Sequence, residues 1–113
     1  MTQRDRQTMG PAIRLEEAIM PFPQQQPRVF NKQNVLALKE NQYGVYGIFR
    51  QGHWIYVGKG DIRERLLAHL DGDNPCILNA QPTHWVDEVT SNADAREKQL
   101  IRELNPSCNV QLT

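Results

Sequence analysis

The sequence predicts an α+β fold in which a small antiparallel sheet of three strands is flanked by helices. Residues 43–50 and 54–57 are rich in side chains that favour strands, and the short polar segment between them contains Gly52, which is typical of a hairpin turn. Residues 62–70 and 92–104 instead repeat apolar side chains every three or four positions, as in a helix with one buried face. The presence of both patterns indicates a sheet covered by helices.

The predicted elements follow one another in the order β-β-α-β-α, after one short helical segment. In chain order they are one or two helical turns at 34–39, strands at 43–50 and 54–57, a helix at 62–70, a strand at 84–89 and a helix at 92–104. Gly72 and Pro75 follow the first long helix and are expected to end it. Asn105 precedes a proline, which disfavours the helical conformation, so the last helix is expected to end there.

The chain of 113 residues is predicted to form one domain at residues 31–113, preceded by an N-terminal arm at residues 1–30. The arm contains a short amphipathic piece at 13–20, followed by three prolines around a run of three glutamines. Because proline supplies no backbone N–H group, this part of the arm resists regular structure. The sequence leaves open whether the arm docks on the domain or on a partner.

Charge is balanced over the whole chain, with 13 basic and 13 acidic residues, but the two halves differ. Residues 28–69 contain seven basic and three acidic side chains, whereas residues 70–113 contain three basic and seven acidic ones. A neutral total argues against strong sequence-independent binding to nucleic acid, which depends on many phosphate contacts. The uneven distribution still allows a local basic surface.

The two cysteines, Cys76 and Cys108, have no spacing typical of a metal site. We therefore expect two reduced thiols in a cytoplasmic protein. The sequence has no apolar run long enough to span a bilayer and no secretory signal, so no membrane role is expected.

A single carboxylate, Glu97, occupies the apolar face of the last predicted helix, four residues after Ala93 and three before Leu100. An ionised carboxylate against a core costs several kcal/mol unless a cation or hydrogen bonds compensate it. Two interpretations remain open from this helix alone. Glu97 binds something positive, or it forms a capping pair with Asp94.

Two further pairs of polar side chains have both a functional and a structural interpretation. Tyr46 and Tyr56 lie on adjacent predicted strands, where paired aromatic residues usually pack against each other. By alternation, Trp54 and Tyr56 are expected to share one face of the second strand. Arg65 and His69 are four residues apart at the margin of a helix face, which can line a cleft or be solvated.

Together these residues resemble the GIY-YIG nuclease superfamily, which is named after two short motifs about ten residues apart. The motifs appear here as Gly44-Val45-Tyr46 and Tyr56-Val57-Gly58, with valine in place of isoleucine. The family continues with an arginine, a histidine or tyrosine four residues later, a glutamate on a later helix and a final asparagine, and these places are filled by Arg65, His69, Glu97 and Asn109. The spacing of the tail is similar to that in the nuclease subunit of bacterial nucleotide-excision repair. The resemblance covers about residues 43–110.

The resemblance implies an endonuclease that hydrolyses the phosphodiester bonds of nucleic acid with one divalent cation, Mg²⁺ or Mn²⁺. DNA is the expected substrate, and RNA remains open. Glu97 would be the metal ligand, because it is the carboxylate on an inward helix face. One carboxylate, completed by water and substrate oxygens, suits a hard octahedral cation.

The resemblance also implies how the reaction is catalysed. Tyr46 would act as general base or proton relay for the attacking water, and His69 would share the proton transfer. A free phenol has a pKa of about 10, so Tyr46 would need nearby cations, such as Lys59 or the metal, to act near neutrality. Arg65 would neutralise the phosphate, and Tyr56 would orient water or phosphate.

Four more residues receive supporting roles. Arg65 rather than Arg63 takes the catalytic place, because Arg65 keeps the four-residue spacing to the histidine. Arg63 and Lys59 would contact the nucleic acid. Gly58 and Asn109 would support the structure of the site.

Two other interpretations compete with a nuclease. A module with the same fold and no catalytic activity would bind nucleic acid or a protein, and a purely structural domain would use Glu97 as a helix cap. The sequence also allows a protein partner or self-association through residues 1–42. Repair, restriction and mobile-element roles all remain open.

Overall fold

The computed structural model describes residues 21–109. Within this range an antiparallel sheet of four strands is flanked by helices, which confirms the predicted α+β class. In chain order the elements are β1 (Arg28–Val29), α1 (Lys32–Leu36), β2 (Tyr43–Arg50), β3 (His53–Asp61), α2 (Ile62–Leu70), α3 (Pro75–Asn79), β4 (His84–Val89) and α4 (Ala93–Leu104). The strand order across the sheet is β1-β4-β2-β3, one strand more than the sequence predicts.

The additional strand, β1, lies in the part of the chain that the sequence assigns to an N-terminal arm. It pairs antiparallel with β4 at one edge of the sheet. Phe22 is buried, and its ring stacks on that of Trp54 with 5.6 Å between centroids. Residues 21–30 therefore dock on the domain, which is one of the two alternatives that the sequence leaves open for the arm. The amphipathic piece at 13–20 lies outside the described residues.

Strands β2 and β3 form the predicted hairpin, with one departure from regular pairing. Residues 51 and 52 have φ angles of 46° and 78°, as a two-residue turn with left-handed conformations requires. The register shifts between Ile48 and Phe49, because β3 contains one extra, bulged residue. The bulge sends Trp54 and Tyr56 to opposite faces of the sheet, so the prediction that they share a face is wrong.

The sheet separates two apolar cores. Helices α1, α2 and α3 cover one face, where Tyr46, Leu66 and Trp85 are buried together. Helix α4 covers the other face, where Leu100 packs against Val57 and neighbouring side chains of the sheet. No helix within residues 21–109 is long and apolar enough to cross a membrane.

A disulfide bond joins Cys76 to Cys108, so the prediction of two reduced thiols is wrong. The cysteines are 32 residues apart in the sequence, and the fold brings their Cα atoms to 5.7 Å, within the normal range for a disulfide. Cys76 belongs to α3, a five-residue helix that begins after the capping residue Asn74 and that the sequence analysis missed. The bond therefore ties the segment after α2 to the end of the described chain.

Candidate active site

Two glycines of the motifs allow the strands and side chains of the site to approach closely. Tyr46 and Gly58 are partners across β2 and β3. A Cβ atom at Gly58 would overlap the Tyr46 hydroxyl and the Tyr56 ring, so a larger residue there would displace both tyrosines. At Gly44 a Cβ atom would overlap the backbone carbonyl of Glu88 on β4. Glycine at these positions therefore permits the close packing around Tyr46.

The Tyr46 side chain ends beside His69 of α2, and each of these residues is 1% exposed. The Tyr46 hydroxyl oxygen lies 2.8 Å from His69 Nε2. On the other side of the ring, His69 Nδ1 lies 2.7 Å from Asp73 Oδ1. Arg65 donates to the second carboxylate oxygen, Oδ2, at 3.0 Å. We call Tyr46, Arg65, His69 and Asp73 the inner cluster.

Asp73 is the member of the inner cluster that the sequence analysis missed. Gly72 and Pro75, on either side of it in the sequence, predict only the end of the helix. Asp73 lies four residues after His69 and eight after Arg65, a spacing that would place the three side chains on one helix face. The spacing could therefore have predicted Asp73 as a partner of His69, but the residues around Asp73 are typical of a turn that ends a helix.

Burial keeps the inner phenol and imidazole neutral. The pKa of Tyr46 is raised, first by loss of solvation and then by Tyr56, while the Arg65 guanidinium opposes the rise. The pKa of His69 is lowered by burial, against the opposing effect of the Asp73 carboxylate. The sequence predicts that cations such as Lys59 or the metal lower the pKa of Tyr46. In the protein alone Arg65 acts in that direction, and the effect of burial outweighs it. A neutral imidazole can accept the Tyr46 proton instead.

Tyr56 connects the inner cluster to the opposite side of the site. Its ring centroid lies 5.0 Å from that of His69 and 6.3 Å from that of Tyr46. The pKa of Tyr56 is raised by burial and then by the negative charge of Glu97. The carboxylate on α4 therefore acts electrostatically on the same tyrosine that contacts the histidine of α2.

Glu97 belongs to a second group of charged residues, Lys59, Asp94 and Glu97, which we call the rim cluster. Lys59 Nζ lies 3.7 Å from Glu97 Oε1 and also donates a hydrogen bond to Asp94. The Glu97 side chain is 19% exposed, in agreement with its place on the inward face of the helix. Helix α4 begins after Asn92, and Asp94 lies inside the helix, so the alternative that Asp94 and Glu97 form a capping pair is wrong.

The remaining predicted residues lie around these clusters. The Asn109 side chain accepts from the backbone N–H of Val57 and donates to its carbonyl, both at 2.9 Å, and so attaches the last described residue to β3. Arg63 instead pairs with Glu40 at 3.4 Å and is not part of either cluster. Its predicted contact with nucleic acid stays a prediction.

The donor set at the rim restricts the kind of cation that the site could hold. Within residues 21–109, no group of three or more His, Cys, Asp or Glu side chains is placed to bind a metal ion. Glu97 alone offers a largely buried carboxylate whose ionic partner is the exposed Lys59. This arrangement fits Mg²⁺ or Mn²⁺, which keep several water ligands, and does not fit a zinc centre built only from protein ligands.

The fold matches solved structures of one endonuclease domain. The magnesium-bound GIY-YIG N-terminal endonuclease domain of UvrC from Thermotoga maritima is 25% identical in sequence, with a TM-score of 0.61 over 70% of this chain and 96% of that chain. The fold is GIY-YIG-like. Two tyrosine-to-phenylalanine mutants of the same domain, each bound to the catalytic divalent cation, are 23% and 24% identical, with TM-scores of 0.61 over 71% of this chain and 96% of theirs.

The GIY-YIG-like fold confirms the resemblance that the sequence predicts. No protein-family model matches the sequence, and a comparison with curated proteins finds no match. The likeness is therefore one of three-dimensional structure at low sequence identity. The functional assignment depends on the arrangement of the individual side chains in this chain.

Proposed function

We propose that this protein is a metal-dependent endonuclease that hydrolyses phosphodiester bonds of DNA. The observation that carries the proposal is the 2.8 Å contact between Tyr46 and His69, next to Tyr56, whose pKa responds to Glu97. These residues come from β2, β3, α2 and α4, so the fold gathers a base, a phenol and a carboxylate at one place. The fold's occurrence in a magnesium-bound endonuclease domain supports the same function.

The inner cluster would activate the attacking water. His69 is neutral near pH 7 because burial lowers its pKa, so it can accept the proton of the Tyr46 hydroxyl. In the same step Tyr46 takes a proton from water, and the oxygen of that water forms the new bond to phosphorus. The bond from phosphorus to the leaving oxygen then breaks with its electron pair on that oxygen, which takes a proton from solvent. Tyr46 thus acts as a base through His69, without needing a lowered pKa of its own.

Arg65 and Tyr56 would position the phosphate. The Arg65 side chain is 39% exposed, so part of its guanidinium stays available although Asp73 holds one nitrogen. A guanidinium matches phosphate oxygens with forked donors and carries a permanent charge. Tyr56 is half-buried beside His69, where its hydroxyl can orient water or phosphate.

Glu97 would hold the divalent cation, Mg²⁺ or Mn²⁺. When bound, the cation would supply positive charge for the phosphate and the leaving oxygen. Lys59 is 42% exposed and already close to Glu97, so its ammonium can move to a phosphate oxygen of the bound DNA. Arg63 remains a proposed contact farther from the clusters.

Cleavage by the full chain tests this proposal. Labelled DNA duplexes, forks, flaps and single strands, and RNA versions of them, should be incubated with Mg²⁺ or Mn²⁺. We expect cleavage of DNA that Glu97→Gln lowers at least about a hundredfold. Glu103→Gln, on the exposed side of the same helix, is the matched control and should cleave normally. Equal cleavage by Glu97→Gln would refute the metal-ligand assignment, and no cleavage by the unmodified chain would favour a binding module.

Cytoplasmic location stays a prediction, and the disulfide weighs against it. Disulfides persist in oxidising compartments and are uncommon in cytosolic proteins. Alkylation of free thiols in freshly lysed native cells would show whether the disulfide exists in the cell and hence whether the compartment is reducing. Unmodified Cys76 and Cys108 would contradict a reducing location, whereas full alkylation of both would support it.

A protein partner, or a second copy of the chain, also stays a proposal. The predicted contact region is residues 1–42, of which the structure describes residues 21–42. Light scattering of the full chain and of a variant without residues 1–20 would test it. A change in oligomeric state between the two would support the proposal, and monomers in both would contradict self-association.

A further inference from the structure

We propose that Asp73 is a positioning residue of this site, which fixes the tautomer of His69 and the direction of Arg65. The carboxylate uses both of its oxygens, with Oδ1 2.7 Å from His69 Nδ1 and Oδ2 3.0 Å from Arg65 Nη2. The effect of Asp73 on the reaction rate rests on the proposed nuclease function. The effect of Asp73 on the His69 tautomer does not depend on that function.

The hydrogen-bond pattern determines where the His69 proton lies. An ionised carboxylate only accepts hydrogen bonds, so Nδ1 of His69 must carry the proton that it donates to Asp73. A neutral imidazole has one N–H, which leaves Nε2 with a free lone pair. The hydroxyl 2.8 Å away must then donate to Nε2, so Tyr46 is poised to give its proton to His69.

Asp73 is ionised in this environment and can therefore only accept the hydrogen bond from His69. Loss of solvation would raise its pKa, but His69 and Arg65 outweigh that effect and lower the pKa below its usual value. The side chain is 34% exposed, so water also reaches it. The carboxylate therefore has no proton to donate at neutral pH.

The backbone holds Asp73 in place independently of its side chain. Its N–H donates to the carbonyl of Ala68 at 3.2 Å, and the N–H of Gly72 donates to the carbonyl of His69 at 3.0 Å. Gly72 has a φ of 90°, a conformation that suits glycine and turns the chain back toward α2. The carboxylate is thus held one turn beyond His69, as a built part of the site.

Asparagine at this position would reverse the arrangement. Arg65 only donates hydrogen bonds and faces the position of Oδ2, so the amide oxygen is expected on that side. The amide nitrogen then faces His69 and donates to Nδ1, which moves the imidazole proton to Nε2. The histidine would then donate to the Tyr46 oxygen and could no longer take the phenol proton. The charged and titratable groups around the ring are Tyr46 on β2, Tyr56 on β3 and Arg65 on α2, and none of these would restore the original tautomer.

Nuclear magnetic resonance tests the proposal without a metal or a substrate. Long-range ¹H–¹⁵N correlation spectra of the full chain, labelled at its three histidines, report which ring nitrogen carries the proton. His53→Gln and His84→Gln identify the His69 signals by elimination. We expect the Nδ1-protonated tautomer in the unmodified chain and the Nε2-protonated tautomer in Asp73→Asn. A proton on Nε2 in the unmodified chain, or unchanged spectra in Asp73→Asn, would overturn the proposal.

A cleavage assay adds the functional consequence. Asp73→Asn should lower the cleavage rate by about 10- to 100-fold, with partial recovery in Asp73→Glu. Asp71→Asn makes the same charge change at an exposed position of the same turn and should cleave normally. Normal cleavage by Asp73→Asn would overturn the positioning role. If the unmodified chain cleaves nothing, the nuclease proposal fails, while the spectra still decide the role of Asp73.

Discussion

The inner and rim clusters use charged and polar side chains in opposite ways. In the inner cluster, each hydrogen bond has one defined partner, and Tyr46 and His69 are almost fully buried. In the rim cluster, Lys59 lies near two carboxylates, and the Asp94 side chain is 80% exposed. The inner cluster is therefore held in one arrangement, whereas the ion pair between Lys59 and Asp94 in the rim cluster is open to solvent.

This difference corresponds to the two tasks of the proposed reaction. Proton transfer needs a defined tautomer and a fixed donor–acceptor distance, which burial and the Asp73 contact provide. Binding of a cation and a phosphate requires partners that can be exchanged. Lys59 is 42% exposed and also contacts Asp94, so a cation can replace its ammonium beside the largely buried Glu97 without leaving either charge uncompensated.

The largest expected effect comes from breaking the inner cluster. Tyr46→Phe removes the hydroxyl that contacts His69 and should lower the single-turnover cleavage rate by about 10²- to 10⁴-fold. Affinity for DNA, measured separately by fluorescence anisotropy, should change little because Tyr46 is buried. Tyr43→Phe is the matched control, since Tyr43 lies exposed on the same strand. An equal loss of rate and affinity in Tyr46→Phe would instead indicate a binding role.

The disulfide joins the segment after Asp73 to the segment before Asn109, and its loss should have the next largest effect. Cys76 follows Asp73 by three residues, and Cys108 precedes Asn109, which is bonded to β3. A bond closing a loop of this length is worth roughly 3 to 4 kcal/mol in the free energy of unfolding. Urea unfolding with and without a dithiol reductant should show that loss. A Cys76→Ser, Cys108→Ser double variant should show no further loss with reductant, and equal stability of the unmodified chain in both conditions would contradict the prediction.

The sequence could predict the parts of the fold that depend on local pattern. The bounds of β2 and α2 agree with the predicted ones, because alternation and helical periodicity extend over their full length. Strand β1 has two residues and exists only through its pairing with β4, so no local pattern marks it. The disulfide likewise depends on the fold to bring distant residues together.

The candidate site shows the same limit. The motif spacing was sufficient to name Tyr46, His69 and Glu97 as candidates. Spacing could not reveal that burial raises the pKa of Tyr46, because this depends on packing from three helices and the sheet. Nor could it reveal the partner of His69, since Asp73 lies in a turn whose residues indicate only the end of a helix.

The smallest of these effects is a pH dependence of stability that belongs to the inner cluster. The folded pKa of His69 is lowered, so below the unfolded pKa of about 6.5 the unfolded chain binds a proton that the folded chain does not. Stability should therefore fall as the pH decreases from 6.5 toward the folded pKa, by at most about 1.4 kcal/mol per pH unit for one proton. Urea unfolding at pH 7.5 and 5.5 should show this loss.

A matched pair of variants isolates the contribution of His69. His69→Gln should have a weaker dependence on pH than the unmodified chain. His53→Gln, at an exposed position of β3, should retain the dependence. A pH dependence unchanged in His69→Gln would mean that His69 is not the group responsible.

The most direct test of the rim cluster, and of the whole assignment, is the binding of manganese to the full chain without substrate. Electron paramagnetic resonance of free Mn²⁺ gives the number of ions bound per chain. We predict one bound ion in the unmodified chain and in Glu103→Gln, and none in Glu97→Gln, because Glu97 is the largely buried carboxylate of the rim cluster, whereas Asp94 is exposed and paired with Lys59. Manganese bound equally well by Glu97→Gln, or not at all by the unmodified chain, would contradict the account.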